Sequence, residues 1–189
     1  MIGRLAFPIY AFLIANGFRH TRDRRKYLGR MIVFALLSEI PFDIAFWHGF
    51  PNMSHQNIYF TLSLGLCCLM CKDWLCTRVH PILATMLPFA VGAFAAELIH
   101  SDYGAIGIAT IVLFDLWLEK RLHTAFLALL LGLIYYSSSD IQFLAVLAVI
   151  PIVCYNQRPG LRHPVIQYAF YLFYPLHLLA LHYVSIIRP

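Results

Sequence analysis

The feature that most constrains this chain is its succession of long apolar runs, broken only by short polar stretches. Eight are legible: Ile2–Phe18, Arg30–Phe46, Asn57–Cys71, Pro81–His100, Tyr103–Leu118, His123–Tyr136, Ile141–Tyr155 and Val165–Ile187. A bilayer-spanning helix needs about 17–25 predominantly apolar residues, and several runs sit at the short end of that range. None shows the two-residue alternation of a barrel strand, so the runs predict helices. A water-soluble fold has nowhere to put this much apolar surface, because 61% of the 189 residues are hydrophobic and 12% charged. A hydrocarbon core accepts it if every backbone polar group is paired internally. The expectation is all-α: one polytopic transmembrane bundle of about eight spans over residues 1–189, with no linker or repeat to divide it.

The basic residues give an independent orientation. Short cytoplasmic loops carry excess Lys and Arg. Alternate connections hold Arg19, Arg22, Arg24, Arg25, Lys26 and Arg30, then Lys72 and Arg78, then Lys120 and Arg121, then Arg158 and Arg162. Only Arg4 and Arg188 fall on the other side, so twelve of the fourteen basic residues sort together. The net charge of +5 is thereby a topology signal, with membrane lipid rather than nucleic acid as the partner. This orientation puts Met1 outside, and an upstream helix is expected to make the topology conventional.

The five cysteines predict neither a disulfide frame nor a metal centre. Cys67, Cys68 and Cys71 lie within an apolar run, Cys76 in a cytoplasmic connection, and Cys154 at a run's end. Buried thiols pack as small hydrophobes, and the cytosolic side is reducing.

Chemistry is expected where polar groups interrupt this pattern. In NGFRHTRDRRKYLGR a continuous helix places Arg22, Lys26 and Arg30 on one cationic stripe. That stripe reads either as an anchor to anionic lipid or as a cradle for a phosphate-bearing cytosolic ligand. The second run carries Glu39 and Asp43 four residues apart. Each carboxylate in a bilayer costs on the order of 2.5–3.5 kcal/mol on insertion scales. Two on one face imply an inward cavity, or else Asp43 at the outer interface and Glu39 paired with an arginine such as Arg4. Asn57, Glu97 and His177 add polar groups in apolar surroundings, Glu97 as a buried acid and His177 as a deep imidazole.

Several of these stretches resemble the TraX family. The run IGRLAFPIYAFLIANGFRHTRDRRKYLGRMIVFALLSEIPFD resembles its signature region, and NIYFTLSLG, SDYGAIGIATIVLF, YNQRPG and FYLFYPLHLL follow in the family's order. The resemblance implies a bacterial inner-membrane protein, distantly related to transmembrane acyltransferases, that acetylates the N-terminal amine of pilin in conjugation. It implies acetyl-CoA as acyl donor, held by Arg22, Lys26 and Arg30, with Tyr27 flanking the adenine. It implies pilin or another membrane-exported protein as acceptor, approached along Arg4, Glu39, Asp43, Asn57 and Glu97. Three departures bear on activity rather than fold. The chain lacks the family's first helix with its Asp-His pair, Asn16 stands where an acid is expected, and YNQRPG replaces a YNGKRG-like loop.

Acetyl transfer needs a base for the attacking amine. His20, beside the cationic stripe, and His177, in the last run, are the expected catalytic residues, and direct transfer within a ternary complex is the expected route. Two other classes remain: a catalytically impaired assembly factor, and a proton-coupled transporter using Glu39, Asp43 and Glu97.

Overall fold

The computed structural model describes residues 2–47, 54–120, 127–128, 130–132, 144–155 and 164–187. Among the described residues the chain is all helical, with one isolated β-bridge between Gln56 and Ser101. The helices are α1 (Ile2–His20), α2 (Arg24–Trp47), α3 (Ile58–Cys76), α4 (Pro81–Leu98), α5 (Gly104–Lys120), α6 (Val149–Val153) and α7 (Pro164–Ile187). A 3-10 helix, Leu144–Ala148, leads directly into α6. Within the expected seventh run the described helix is thus two short pieces, with Pro151 in the first turn of α6, where a missing N–H is tolerated. Most of the expected sixth run lies outside the described residues.

Local signals set the element ends. Asp23 caps α2 by accepting the Lys26 N–H at 2.9 Å, so the helix starts at Arg24 and Arg22 stays in the connection. Asn57 caps α3 by accepting the Tyr59 N–H at 3.0 Å. Pro81 begins α4, where its fixed φ suits a first helical turn. At the end of α4, His100 takes a left-handed φ of 51° and Ser101 N–H returns to the Ala96 carbonyl at 3.0 Å, a closure usually made by glycine.

Helix α3 is the centre of the bundle, packing on α1, α2, α4 and α5. Helices α1 and α5 run parallel, since Phe7 stacks on Tyr103 at 3.7 Å near one end and Arg19 reaches Asp115 near the other. Helix α7 lies on α2, with Tyr171 stacked on Phe34 at 4.8 Å. Close approach relies on small residues: a Cβ at Gly107 would meet the Thr61 methyl, Tyr103 Cβ at 2.8 Å and Phe7 Cζ at 3.0 Å.

The bundle's interior contains buried polar groups, including Asp115, Lys72, Asn57, Ser38, Asp43 and Thr61. Its outer faces are apolar: Ile82, Leu83, Met86, Leu87, Val91 and Phe94 of α4 are exposed, as are Ile32, Val33, Leu36, Leu37 and Ile40 of α2. Among the described residues two helices, α3 and α4, are long and apolar enough to cross a membrane, with mean hydropathies of 1.3 and 1.6. Helix α2 carries more charge, because it opens with Arg24, Arg25 and Lys26 and also holds Arg30, Glu39 and Asp43.

Candidate functional site at the basic end

The end of α1, the start of α2 and the ends of α3 and α5 meet at one pole. Arg24 pairs with Asp73 at 2.6 Å, its guanidinium lying 4.1 Å from the Phe18 ring centroid. Deeper, Asp115 holds Arg19 at 2.7 Å and Lys72 at 2.6 Å. Glu119 accepts from the same Lys72 and lies 3.6 Å from Arg19. These groups border a cavity of about 390 Å³ lined by Phe18, Arg19, Arg24, Lys72, Asp73, Cys76 and Glu119.

The sequence missed this network. Lys72 looks like a loop cation when the third run is ended at Cys71. In the structure α3 continues to Cys76, and Lys72 is 5% exposed. Its counter-charge, Asp115, sits 43 residues away in an apolar run, and no spacing rule connects them. The available signal was a lone acid within a span, which asks for a cation.

The expected stripe of Arg22, Lys26 and Arg30 is not one helical face. Arg22 precedes the Asp23 cap and is exposed, as are Arg25 and Lys26. Lys26 lies 3.5 Å from Asp23, while among the described residues Arg22 and Arg25 have no carboxylate within ion-pair distance. Tyr27 and Arg30 turn inward. The Tyr27 hydroxyl would lie 2.9 Å from a Cβ at Gly17, and Arg30 sits 5.8 Å from the Tyr27 ring with a buried Nε that lacks a hydrogen-bond partner among the described residues.

His20 occupies the last turn of α1 beside this exposed cationic turn. Its Nδ1 lies 2.8 Å from the Asn16 carbonyl, and a carbonyl only accepts. Nδ1 therefore carries the proton, and in the neutral ring Nε2 keeps its lone pair. Asp23 in the same connection has a carboxyl below the usual range, first because the Lys26 backbone N–H donates to it.

The other expected residues lie elsewhere. Glu39 accepts from the Asn57 side-chain amide, which also donates to the Ala35 carbonyl at 2.7 Å. Asn57 thus ties α3 to α2. Glu39 Oε1, Ser38 Oγ and Thr61 Oγ1 are buried without a hydrogen-bond partner among the described residues, and Asp43 is fully buried rather than interfacial. Glu97 is exposed, not a buried acid: it accepts the Ala105 N–H at 2.7 Å and caps α5. His177 is exposed on α7, its ring 5.6 Å from that of Phe173, rather than deep in the bundle. The Arg4 side chain lies outside the described residues. Fifteen residues of α2 separate Arg24 from Glu39, about 22 Å at 1.5 Å per residue. The basic turn and the Glu39–Asn57 contact therefore occupy opposite ends. Among the described residues no three His, Cys, Asp or Glu side chains converge to hold a metal.

Comparison with known proteins adds a family and a relative. The family model described as TraX protein matches residues 1–185. The chain is 30% identical to a protein of Dichelobacter nodosus named "Probable fimbrial assembly protein FimC, serogroup H1", with 94% of this chain and 78% of the relative covered. No solved structure matches the chain.

Proposed function

The chain belongs to the TraX family, and from that premise we propose a multi-spanning protein of the bacterial cytoplasmic membrane that transfers acetyl from cytosolic acetyl-CoA to an amine. The relative named for fimbrial assembly supports a pilin amino terminus, or that of another exported protein, as the acceptor. The arrangement of apolar outer faces around buried charged and polar groups supports the membrane as solvent, since water would favour the reverse.

The observation that carries the reading is the exposed turn of Arg22, Arg25 and Lys26 that follows His20 at the end of α1. The cations Arg19, Arg24 and Lys72 are engaged by Asp115, Asp73 and Glu119. Arg22 and Arg25 are left to face solvent, suited to the phosphates of a nucleotide-bearing donor. In the reaction the neutral amine attacks the thioester carbonyl. A C–N bond forms, the C–S bond breaks, and the coenzyme leaves as thiolate. His20 Nε2 takes the proton the amine must lose and returns it to the thiolate. A transfer centred there does not use Glu39, Asp43 or His177, which belong to the opposite end or the outer face of α7.

The test is acetylation of a pilin N-terminal peptide by the purified protein, with acetyl-CoA affinity measured alongside. Replacing His20 by Ala lowers turnover by about a hundredfold or more, the scale of general-base loss, and leaves acetyl-CoA affinity within about threefold, under 1 kcal/mol. Replacing Arg22, Arg25 and Lys26 together by Ala weakens acetyl-CoA binding by about tenfold or more. A well-folded protein that neither binds acetyl-CoA nor transfers acetyl overturns the reading and leaves an assembly role without catalysis.

A further inference from the structure

Three helices converge on a single carboxylate at the basic end. Asp115 of α5 is 2% exposed. Its Oδ1 accepts from Arg19 Nε at 3.0 Å and from Arg19 Nη2 at 2.7 Å, and Nη2 also donates to the Asp115 carbonyl at 2.8 Å. Its Oδ2 accepts from Lys72 Nζ at 2.6 Å. One side chain thereby fixes α1 and α3 against α5.

A buried ion pair is a weak source of net stability, because desolvation offsets most of the attraction. Its geometric constraint is stronger. The planar guanidinium of Arg19 accepts few orientations when two of its nitrogens are committed to one residue. Lys72 fills the other carboxylate oxygen, so Asp115 has no freedom to turn. Arg19 is the residue before His20 and lies three before Arg22. The last turn of α1, and the connection that follows it, are aimed by a side chain 96 residues further along the chain.

We propose that Asp115 is a positioning residue for the acyl donor. By clamping Arg19 while Lys72 anchors it to α3, it aims the α1–α2 connection so that Arg22, Arg25 and Lys26 meet one set of phosphates. This rests on the acetyl-transfer reading above. Asp115 itself does not touch the donor: it is buried below the exposed turn, and both its carboxylate oxygens are occupied. Arg19 and Lys72, the two cations it holds, form part of the wall of the 390 Å³ cavity, so a change in the clamp alters that wall as well as the turn.

The test measures acetyl-CoA affinity by calorimetry, and melting temperature in parallel, for the full chain in detergent. Wild type is compared with Asp115→Asn, Arg19→Lys and Glu97→Gln. Arg19→Lys keeps the charge but removes the two-pronged grip. Both Asp115→Asn and Arg19→Lys weaken acetyl-CoA binding by about tenfold in protein that remains folded. Glu97→Gln, at the start of α5 away from the basic end, where the acid only accepts the Ala105 N–H, changes it by less than about threefold. A purely structural carboxylate would lower the melting temperature and leave the affinity of the folded protein unchanged, and that result overturns the proposal. If Asp115→Asn does not accumulate, Arg19→Lys alone decides, by the same criterion. Wild-type protein that fails to bind acetyl-CoA overturns the acetyl-transfer reading itself. Wild-type binding with unchanged variants overturns only the clamp.

Discussion

Asp23 and Glu97 show how an acid at a helix junction can be committed to backbone instead of chemistry. Each closes a helix start whose first N–H groups have no intrahelical acceptor. Glu97 does so from outside α5, reaching the Ala105 N–H across the turn that joins α4 to α5. Glu97→Ala is expected to cost about 1 kcal/mol, the usual loss for a helix cap, while Glu97→Gln keeps the acceptor and most of the stability; thermal melts of the two variants check this. Asp23 makes a pH-dependent version of the same contact. Its folded carboxyl lies below its unfolded value because the Lys26 N–H favours the charged form. Its contribution is then complete above the unfolded value and fades as pH falls through the lower folded one. Melts across the acid range should show that fade in wild type and a shallower one in Asp23→Asn, which caps without titrating. From sequence alone Glu97 reads as a buried acid, because it ends an apolar run. That the chain folds back there depends on His100 adopting a left-handed conformation, which is uncommon for a side-chain-bearing residue even though His is among the types enriched there.

At the scale of elements, apolar runs of helical length gave away the first five helices and the last. Helix ends were less legible, because they depend on caps and on distant partners. The cationic stripe fails at Asp23, which starts a new helix where a continuous one was expected. From sequence the third run ends at Cys71, because Lys72 and Asp73 look like solvent-facing residues. Helix α3 continues through them because Asp115 and Arg24 receive their charges. Helix contacts were not legible at all, since the sequence shows glycines without showing what they face. A Cβ at Gly107 would come within about 3 Å of α1, of α3 and of Tyr103 just before α5 at once. One of its neighbours is the backbone-bound Tyr103 Cβ, which cannot swing away. Gly107→Ala is therefore expected to destabilise by about 1–3 kcal/mol, the range for overpacking a tight contact. Gly29→Ala, where nothing lies within 4 Å, should be neutral or slightly stabilising in the same denaturation assay, since Ala is the better helix former.

For the whole molecule, the helical class followed from the apolar runs. Of the basic connections that the sorting grouped, Arg158 and Arg162 lie outside the described residues, while the α1–α2 connection and the ends of α3 and α5 meet at one pole. Arg19, Arg24 and Lys72 do meet there, though as partners of acids. The candidate site was half legible: His20 and Arg22 stand out by type and neighbourhood, whereas Asp115 emerges only when α1, α3 and α5 are assembled. The bilayer orientation carries its own prediction. In the proposed arrangement Cys76 lies at the cytosolic end and Ser54 at the opposite end, before α3, and both are exposed. A variant retaining Cys76 as its only cysteine should react with a membrane-impermeant maleimide only after intact cells' inner membranes are opened. Ser54→Cys in a chain free of other cysteines should react from the outside of spheroplasts without such treatment. Labelling of both from the outside would mean that α3 does not cross the bilayer, and His20 would lose its assigned access to cytosolic acetyl-CoA. Labelling in the reverse sense would place the Arg22–Lys26 turn outside, against the charge distribution that orients membrane proteins.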